Sequence, residues 1–276
     1  MYRRQMNIKH KYTRLVLKVS LIMLVVSMAG CTNSVELIAH RGDSYLFPEN
    51  TLASVVSAWQ KGFDAEIDVH LSKDNRIMVI HDADTKRTAG IDLKIKQTDS
   101  HKLRELEVGS FKDAKFLGEP IPFLEEILRT IPPGRRLFVE VKCGPEILPY
   151  LQKLLDESGK RAQIVIIGFD LETMVLAKQQ MPDIPVYWLT VPKKDKKTKK
   201  AIPYDPQLVR LVRDKGLDGL DVYYAGVDKR FMDAVKASRQ KLYTWTVDDA
   251  QEAKHLIKLG VDGITTNRPE WLKNQL

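Results

Sequence analysis

From residue 36 to the C-terminus, short apolar runs rich in β-branched residues alternate with stretches whose apolar positions recur at helical spacing. The runs with strand character are residues 37–40, 65–69, 137–141, 164–167, 186–189, 219–222, 241–246 and 263–265. Between them, Leu52, Val55, Val56 and Trp59 share one predicted buried helix face, and Leu148, Leu151 and Leu155 share another. Pro48 ahead of Asn50 and Thr51 marks a helix start. Eight such βα units predict an α/β fold, the (β/α)8 TIM barrel. The alternation fails over residues 82–120, a span too long for an ordinary barrel loop, which predicts a small inserted subdomain after the second strand.

Two strands break the apolar rule. A parallel strand is covered on both faces, so charges at alternate positions within it are costly unless they are paired, hydrated at a barrel mouth or bound to metal. The period of two sends Glu66 and Asp68 to one face and Glu140 and Lys142 to one face, with Ile67, Val139 and Val141 opposite. Barrel active sites lie at the C-terminal strand ends, so the three carboxylates are expected to meet at that rim. Clustered carboxylates repel one another, and a hard divalent cation with oxygen ligands, Ca²⁺ or Mg²⁺ rather than zinc, relieves that repulsion. Structural salt bridges to Arg41 and Lys142 are the competing explanation.

The first strand ends in His40-Arg41-Gly42, placing a histidine and a phosphate-binding type of side chain at the same rim. After the second strand, residues 72–76 read as a hairpin into residues 77–82, which returns His81 toward the site. Two histidines around one phosphate form an acid and base pair near neutral pH. His70 shares parity with Asp68 but falls beyond the predicted strand end, so it is expected to be a rim residue rather than a ligand. His10, His101 and His255 have no supporting context.

The formal net charge of +8 would ordinarily point to a polyanionic partner, but its location removes that inference. Residues 1–30 hold six of the 44 basic residues and none of the 36 acidic ones, leaving 38 basic against 36 acidic. No nucleic-acid partner is therefore expected. A basic stretch, an apolar run too short to span a bilayer and then small residues before Cys31 form the layout of an export signal over residues 1–30. The segment Ser27-Met28-Ala29-Gly30-Cys31 resembles a bacterial lipobox, with Met28 where leucine is usual. That predicts a mature chain of residues 31–276, exported and anchored to a bacterial membrane through lipidated Cys31. An uncleaved signal anchor, or an ordinary signal peptide with a chance cysteine, are the alternatives. Cys143 is the only other cysteine and is expected to be a small apolar filler in a buried strand. Residues 192–200, dense in lysine, read as a solvated loop, with a contact to anionic headgroups as the sharper possibility.

The ordered runs His40-Arg41-Gly42 with Pro48-Glu49-Asn50-Thr51, Glu66-Ile67-Asp68-Val69 with His81-Asp82, Glu140-Val141-Lys142, and Tyr243-Thr244-Trp245-Thr246-Val247 resemble the successive motifs of the glycerophosphodiester phosphodiesterase family. The resemblance spans residues 36–271. It implies a barrel with a small insertion and one divalent metal held by Glu66, Asp68 and Glu140. It also implies His40 and His81 as general base and acid, Arg41 and Lys142 on the phosphate, and Trp245 against the glycerol moiety. Core filling is the plainer role for Trp245. Gly168-Phe169-Asp170 stands where Ser-Phe is frequent, and Asn267 where Asp is common, which bears on substrate preference more than on the reaction.

The function so implied is metal-dependent hydrolysis of a small-molecule glycerophosphodiester to an alcohol and glycerol 3-phosphate. A lysophospholipase D or an envelope polyol-phosphate phosphodiesterase would keep the same site. A lipoprotein that binds glycerophosphoryl groups without cutting them is the alternative of another class, and it would have no use for the full set of histidines and acids.

Overall fold

The computed structural model describes residues 35–276; the predicted signal, Cys31 and His10 lie outside the described residues. Strands β1 (Glu36–Ala39), β2 (Asp64–Leu71), β3 (Ile77–Val79), β4 (Leu137–Val141), β5 (Ile164–Gly168), β6 (Val186–Thr190), β7 (Gly219–Tyr223), β8 (Lys241–Trp245) and β9 (Gly263–Thr266) belong to one sheet. All except β3 are parallel to their neighbours, and β1 pairs with both β2 and β9. That double pairing closes the sheet into an eight-stranded (β/α)8 barrel, as the alternating pattern predicts.

Alternate strand residues fill two separate cores. Inside the barrel, Ile38, Phe138, Val165, Ile167, Tyr187, Leu189 and Tyr243 pack together. Tyr243 is central, with its ring 5.3 Å from Phe138 and 5.0 Å from Tyr187 and its hydroxyl donating to Glu36 at 2.7 Å. A Cβ on Gly263 would run into the Tyr243 ring, so the bare backbone of β9 makes room for this plug. Ala65, Ile67, Val69, Val139, Val141 and Ile166 face outward into the core beneath the helices.

The helices α1 (Leu52–Gln60), α2 (Lys86–Ala89), α3 (Ser100–Arg104), α4 (Leu124–Thr130), α5 (Leu148–Ser158), α6 (Leu171–Gln180), α7 (Gln207–Asp214), α8 (Lys229–Ser238), α9 (Ala250–Leu259) and α10 (Pro269–Gln275) follow. Side chains of Thr51, Asp170, Asp228 and Asp249 cap α1, α6, α8 and α9. Leu148, Leu151 and Leu155 of α5 are fully buried, as their spacing predicts. The buried face of α1 is rotated from its prediction: Val55, Ala58 and Trp59 pack inward with Ser54 and Ser57, while Leu52 is exposed. The serines turn inward because they have partners there, Ser54 Oγ donating to the Arg41 carbonyl at 3.0 Å and Ser57 Oγ to Asp43 at 2.8 Å. Small side chains also let α1 approach the strand ends closely.

Two features depart from the strand plan. β2 runs beyond the barrel to Leu71, because β3 pairs with it antiparallel through Val69–Val79, His70–Met78 and Leu71–Ile77 on the edge that β1 leaves free. His70 is therefore inside the strand and buried, not past its end. Cys143 follows β4 rather than lying in it and is half-buried, with burial pushing its thiol up to about 11. Between β3 and α4 the chain forms α2, α3 and short 3₁₀ turns, which join Met78, Ile80, Ile95, Leu103, Val108 and Ile121 in a small cluster of their own. The lysine-rich loop after β6 folds back on itself, with Lys194 bridged to Ala201 and the Asp195 carboxylate accepting from the Lys197 and Thr198 amides.

Candidate active site

The register of β2 and β4 sets Asp68 directly beside Glu140 on the inner face. One ligand oxygen from each of Glu66, Asp68 and Glu140 lies within 4.8 Å of the others. Glu66 and Asp68 are buried, and the Glu140 side chain is 12% exposed. Burial, and then the charges of Asp68 and Glu140, push Glu66 well above the usual carboxylate range. Burial and Asp68 push Glu140 up to about 7. Glu66 Oε1 and Asp68 Oδ1 have no hydrogen-bond partner among the described residues. Three crowded acids with orphaned, converging oxygens are a fitting donor set for a hard divalent cation.

The turn after β1 brings cations to these acids. Arg41 adopts a left-handed backbone, φ 55°, and its amide donates to Glu66 Oε2 at 2.8 Å. Gly42 follows at φ 75°, packed so tightly on Ser54 that any Cβ would overlap it, and its amide donates to the Glu66 carbonyl at 3.0 Å. The Arg41 guanidinium lies 3.3 Å from Asp68 and 2.9 Å from Glu49. Lys142 Nζ lies 2.8 Å from Glu140 and 3.6 Å from Asp68. The salt-bridge explanation for the acids is thus partly realised, but it leaves two of their buried oxygens without a hydrogen bond.

The histidines approach from opposite sides. His40 continues β1, its amide donating to the Thr266 carbonyl, and its Nδ1 is 2.7 Å from Asn267 Oδ1. Asn267 Nδ2 donates to Asp248 at 2.6 Å, which fixes the amide so that Oδ1 accepts from His40. His81 arrives through the hairpin, where the Ile80 amide donates to the Asp68 carbonyl. Its Nδ1 is 2.7 Å from Asp82 and its Nε2 is 3.2 Å from Lys142 Nζ. His70 Nε2 lies 3.1 Å from the His81 carbonyl, so it braces that segment rather than facing the acids. His101 and His255 are exposed surface residues.

His40, Arg41, Glu66, His81, Glu140 and Lys142 converge on a cavity of about 170 Å³ and form its polar side. Ile167, Phe169, Leu189 and Trp245 supply an apolar wall, with Phe169 and Trp245 in edge contact at 5.5 Å. Trp245 is therefore a cavity residue as well as a packing one. A larger cavity of about 810 Å³ lies under the loop after β6 and contains none of this chemistry.

Residues 40–271 match the model of the glycerophosphoryl diester phosphodiesterase family. The chain belongs to that family. It is 30% identical to a glycerophosphodiester phosphodiesterase of Caldanaerobacter subterraneus subsp. tengcongensis, over 86% of this chain and 96% of the relative. A Bacillus altitudinis glycerophosphodiester phosphodiesterase is 28% identical over 85% of this chain and 95% of its own. Among solved structures, an Oleispira antarctica phosphodiesterase in complex with the product sn-glycerol-3-phosphate superposes with a TM-score of 0.78 at 29% identity, covering 87% of this chain and 96% of that one. The chain is thus an enzyme, a phosphoric diester hydrolase.

Several residues of the phosphodiesterase site carry no flag in the strand pattern. Glu49 and Asn50 lie in the motif Pro48-Glu49-Asn50-Thr51, yet only the structure shows their work. Glu49 clamps Arg41 and Arg87, while Asn50, at φ 58°, donates to Asp68 Oδ2 and accepts from the Asp68 amide. Arg87 reaches in from α2 and also holds Asp82. Asp248 acts through Asn267. Asp221 is the one that parity could have found, since it breaks an otherwise apolar strand as Glu66 does. It lines the cavity wall, and burial followed by the charge of Glu140 pushes its carboxyl well above the ordinary range.

Proposed function

We propose that this phosphodiesterase hydrolyses glycerophosphodiesters to an alcohol and glycerol 3-phosphate, with a single Ca²⁺ or Mg²⁺ at Glu66, Asp68 and Glu140 and with His40 and His81 moving the protons. The carrying observation is that two histidines with differently held Nδ1 atoms share one cavity with Arg41, Lys142, Glu66 and Glu140, the last two converging with Asp68 on one point. Glu66, Asp68 and Glu140 would hold the ion, which when bound would supply Lewis-acid stabilisation of charge on the phosphoryl oxygens.

The partners of the histidines divide the labour. His40 donates its Nδ1 proton to a neutral amide oxygen, leaving the Nε2 lone pair free, and burial together with Arg41 lowers its pKa. A neutral imidazole of that kind serves as base. His81 faces a carboxylate, Asp82, at Nδ1, which holds the ring with Nε2 toward Lys142 and the cavity, the position from which an acid delivers a proton. His40 Nε2 takes the proton of the glycerol hydroxyl next to the ester, whose oxygen attacks phosphorus, while His81 Nε2–H protonates the departing alkoxide. His81, now neutral, takes a proton from water as that oxygen opens the cyclic phosphate, and His40 returns its proton to the ring oxygen. Arg41 and Lys142 hold the phosphoryl oxygens throughout, and Trp245 packs on the glycerol carbons.

Attachment through lipidated Cys31 to a bacterial membrane accompanies this proposal, supported by the layout of residues 1–31. One preparation addresses both. Full-length protein is fractionated, then assayed for glycerol 3-phosphate release from glycerophosphocholine and glycerophosphoethanolamine with each metal and after chelation. Activity is expected in the membrane fraction, moved to the soluble fraction by Cys31→Ser, and lost on chelation or, by about 10²-fold or more, in His40→Ala or His81→Ala. Turnover that survives exhaustive chelation removes the metal, and an unmodified Cys31 by mass spectrometry removes the anchor. Release of lysophosphatidic acid from a lysolipid, without turnover of the glycerophosphodiesters, would instead favour the lysophospholipase D reading.

A further inference from the structure

The cavity wall contains a carboxylate that the acid cluster and the histidine pair leave unused. Asp221 points inward from β7, between Leu189 of β6 and Tyr243 of β8 in the register of the sheet. It is 1% exposed, and its Oδ1 has no hydrogen-bond partner among the described residues. A buried acceptor without a partner is costly, and proteins retain one where a ligand completes it. Neither Arg41 nor Lys142 pairs with Asp221, and it stands apart from the three acids whose oxygens converge. Ile167, Phe169, Leu189 and Trp245 line the apolar side of the cavity with it, the charge of Glu140 reaches it from the polar side, and the Trp245 indole N–H donates to the Asp221 carbonyl at 3.2 Å. That hydrogen bond fixes the indole face relative to the carboxylate.

A buried carboxyl with no cation of its own, beside an apolar wall, suits a neutral partner, a hydroxyl carried on a short carbon chain that packs against the indole. The glycerol moiety has two hydroxyls, of which the one beside the ester is consumed in the chemistry above. We propose that Asp221 is a specificity-determining residue that binds the other, the terminal hydroxyl, and so selects glycerol over diols that lack it. This rests on the glycerophosphodiester reading and adds to it a reason for glycerol.

The test compares glycerophosphocholine with 2-hydroxypropyl phosphocholine, in which a methyl replaces the hydroxymethyl group while the reacting hydroxyl remains. The wild-type enzyme is expected to favour the glycerol diester in kcat/KM by about 10- to 100-fold. Asp221→Leu should bring that ratio near one, chiefly through KM for glycerophosphocholine, whereas Asp221→Asn, whose amide still bonds a hydroxyl, should retain most of it. A wild-type ratio near one overturns the proposal however the variants fold. So does an equal loss on both substrates in a folded Asp221→Leu or Asp221→Asn protein, which would mark a structural or electrostatic role. Absence of turnover on both substrates with every metal would sink the glycerophosphodiester reading itself and this proposal with it, a result distinct from equal turnover of the two.

Discussion

Asp82→Asn tests the assignment of His81 as the acid. The carboxylate lies 2.7 Å from His81 Nδ1, and the amide that replaces it has the same shape without the charge. At an effective dielectric constant of about 20, unit charges that close attract by about 6 kcal/mol. Both side chains are 29% exposed, so solvent removes much of this, leaving the range of a charge-assisted hydrogen bond, about 1.5–3 kcal/mol. At about 1.4 kcal/mol per factor of ten, the variant should lose about 10- to 150-fold in the step where His81 gives up its proton. Asn offers one acceptor where Asp82 offers two, so turning it to His81 gives up the Arg87 bond to this residue, while Arg87 keeps its two bonds to Glu49. The assay is kcat/KM on glycerophosphocholine beside the glycerol phosphodiester of p-nitrophenol, a leaving group that needs little protonation and should lose under about threefold. Equal losses on the two substrates would refute the acid role.

In the metal-free chain, burial and Asp68 raise Glu140 from 4.5 to about 7, so the fold favours its neutral carboxyl. The associated stability is complete below about pH 4.5 and is lost as pH rises through 7; melting in chelator should fall across that window and recover with Ca²⁺ or Mg²⁺, and a flat profile contradicts it. Gly42→Ala places a Cβ against Ser54 in a left-handed turn, so chemical denaturation should show a loss of more than about 1 kcal/mol with reduced activity, and unchanged stability would contradict the packing argument.

The barrel and the acid cluster were legible because both rest on local periodicity. Covered parallel strands are apolar, so eight short runs announce eight strands, and the carboxylates of Glu66, Asp68 and Glu140 stand out against them. Parity also placed Lys142 with Glu140. The rotated face of α1 and the extension of β2 were not legible, since each depends on partners distant in the chain: Asp43 and the Arg41 carbonyl for the serines, and β3 for His70.

What the sequence determined by itself is the eight barrel strands, the shared face of Glu66 with Asp68 and of Glu140 with Lys142 and, through its ordered motifs, the family. Tertiary structure decided how the reactive groups are tuned. Asn267, 227 residues from His40, fixes the tautomer of that ring, while Asp82 and Arg87 hold His81. Only closure of the barrel brings β7 across from β2 and leaves Asp221 Oδ1 in the cavity wall without a partner among the described residues. Periodicity reports which way a side chain faces; what it meets there depends on which strand the closed sheet sets opposite.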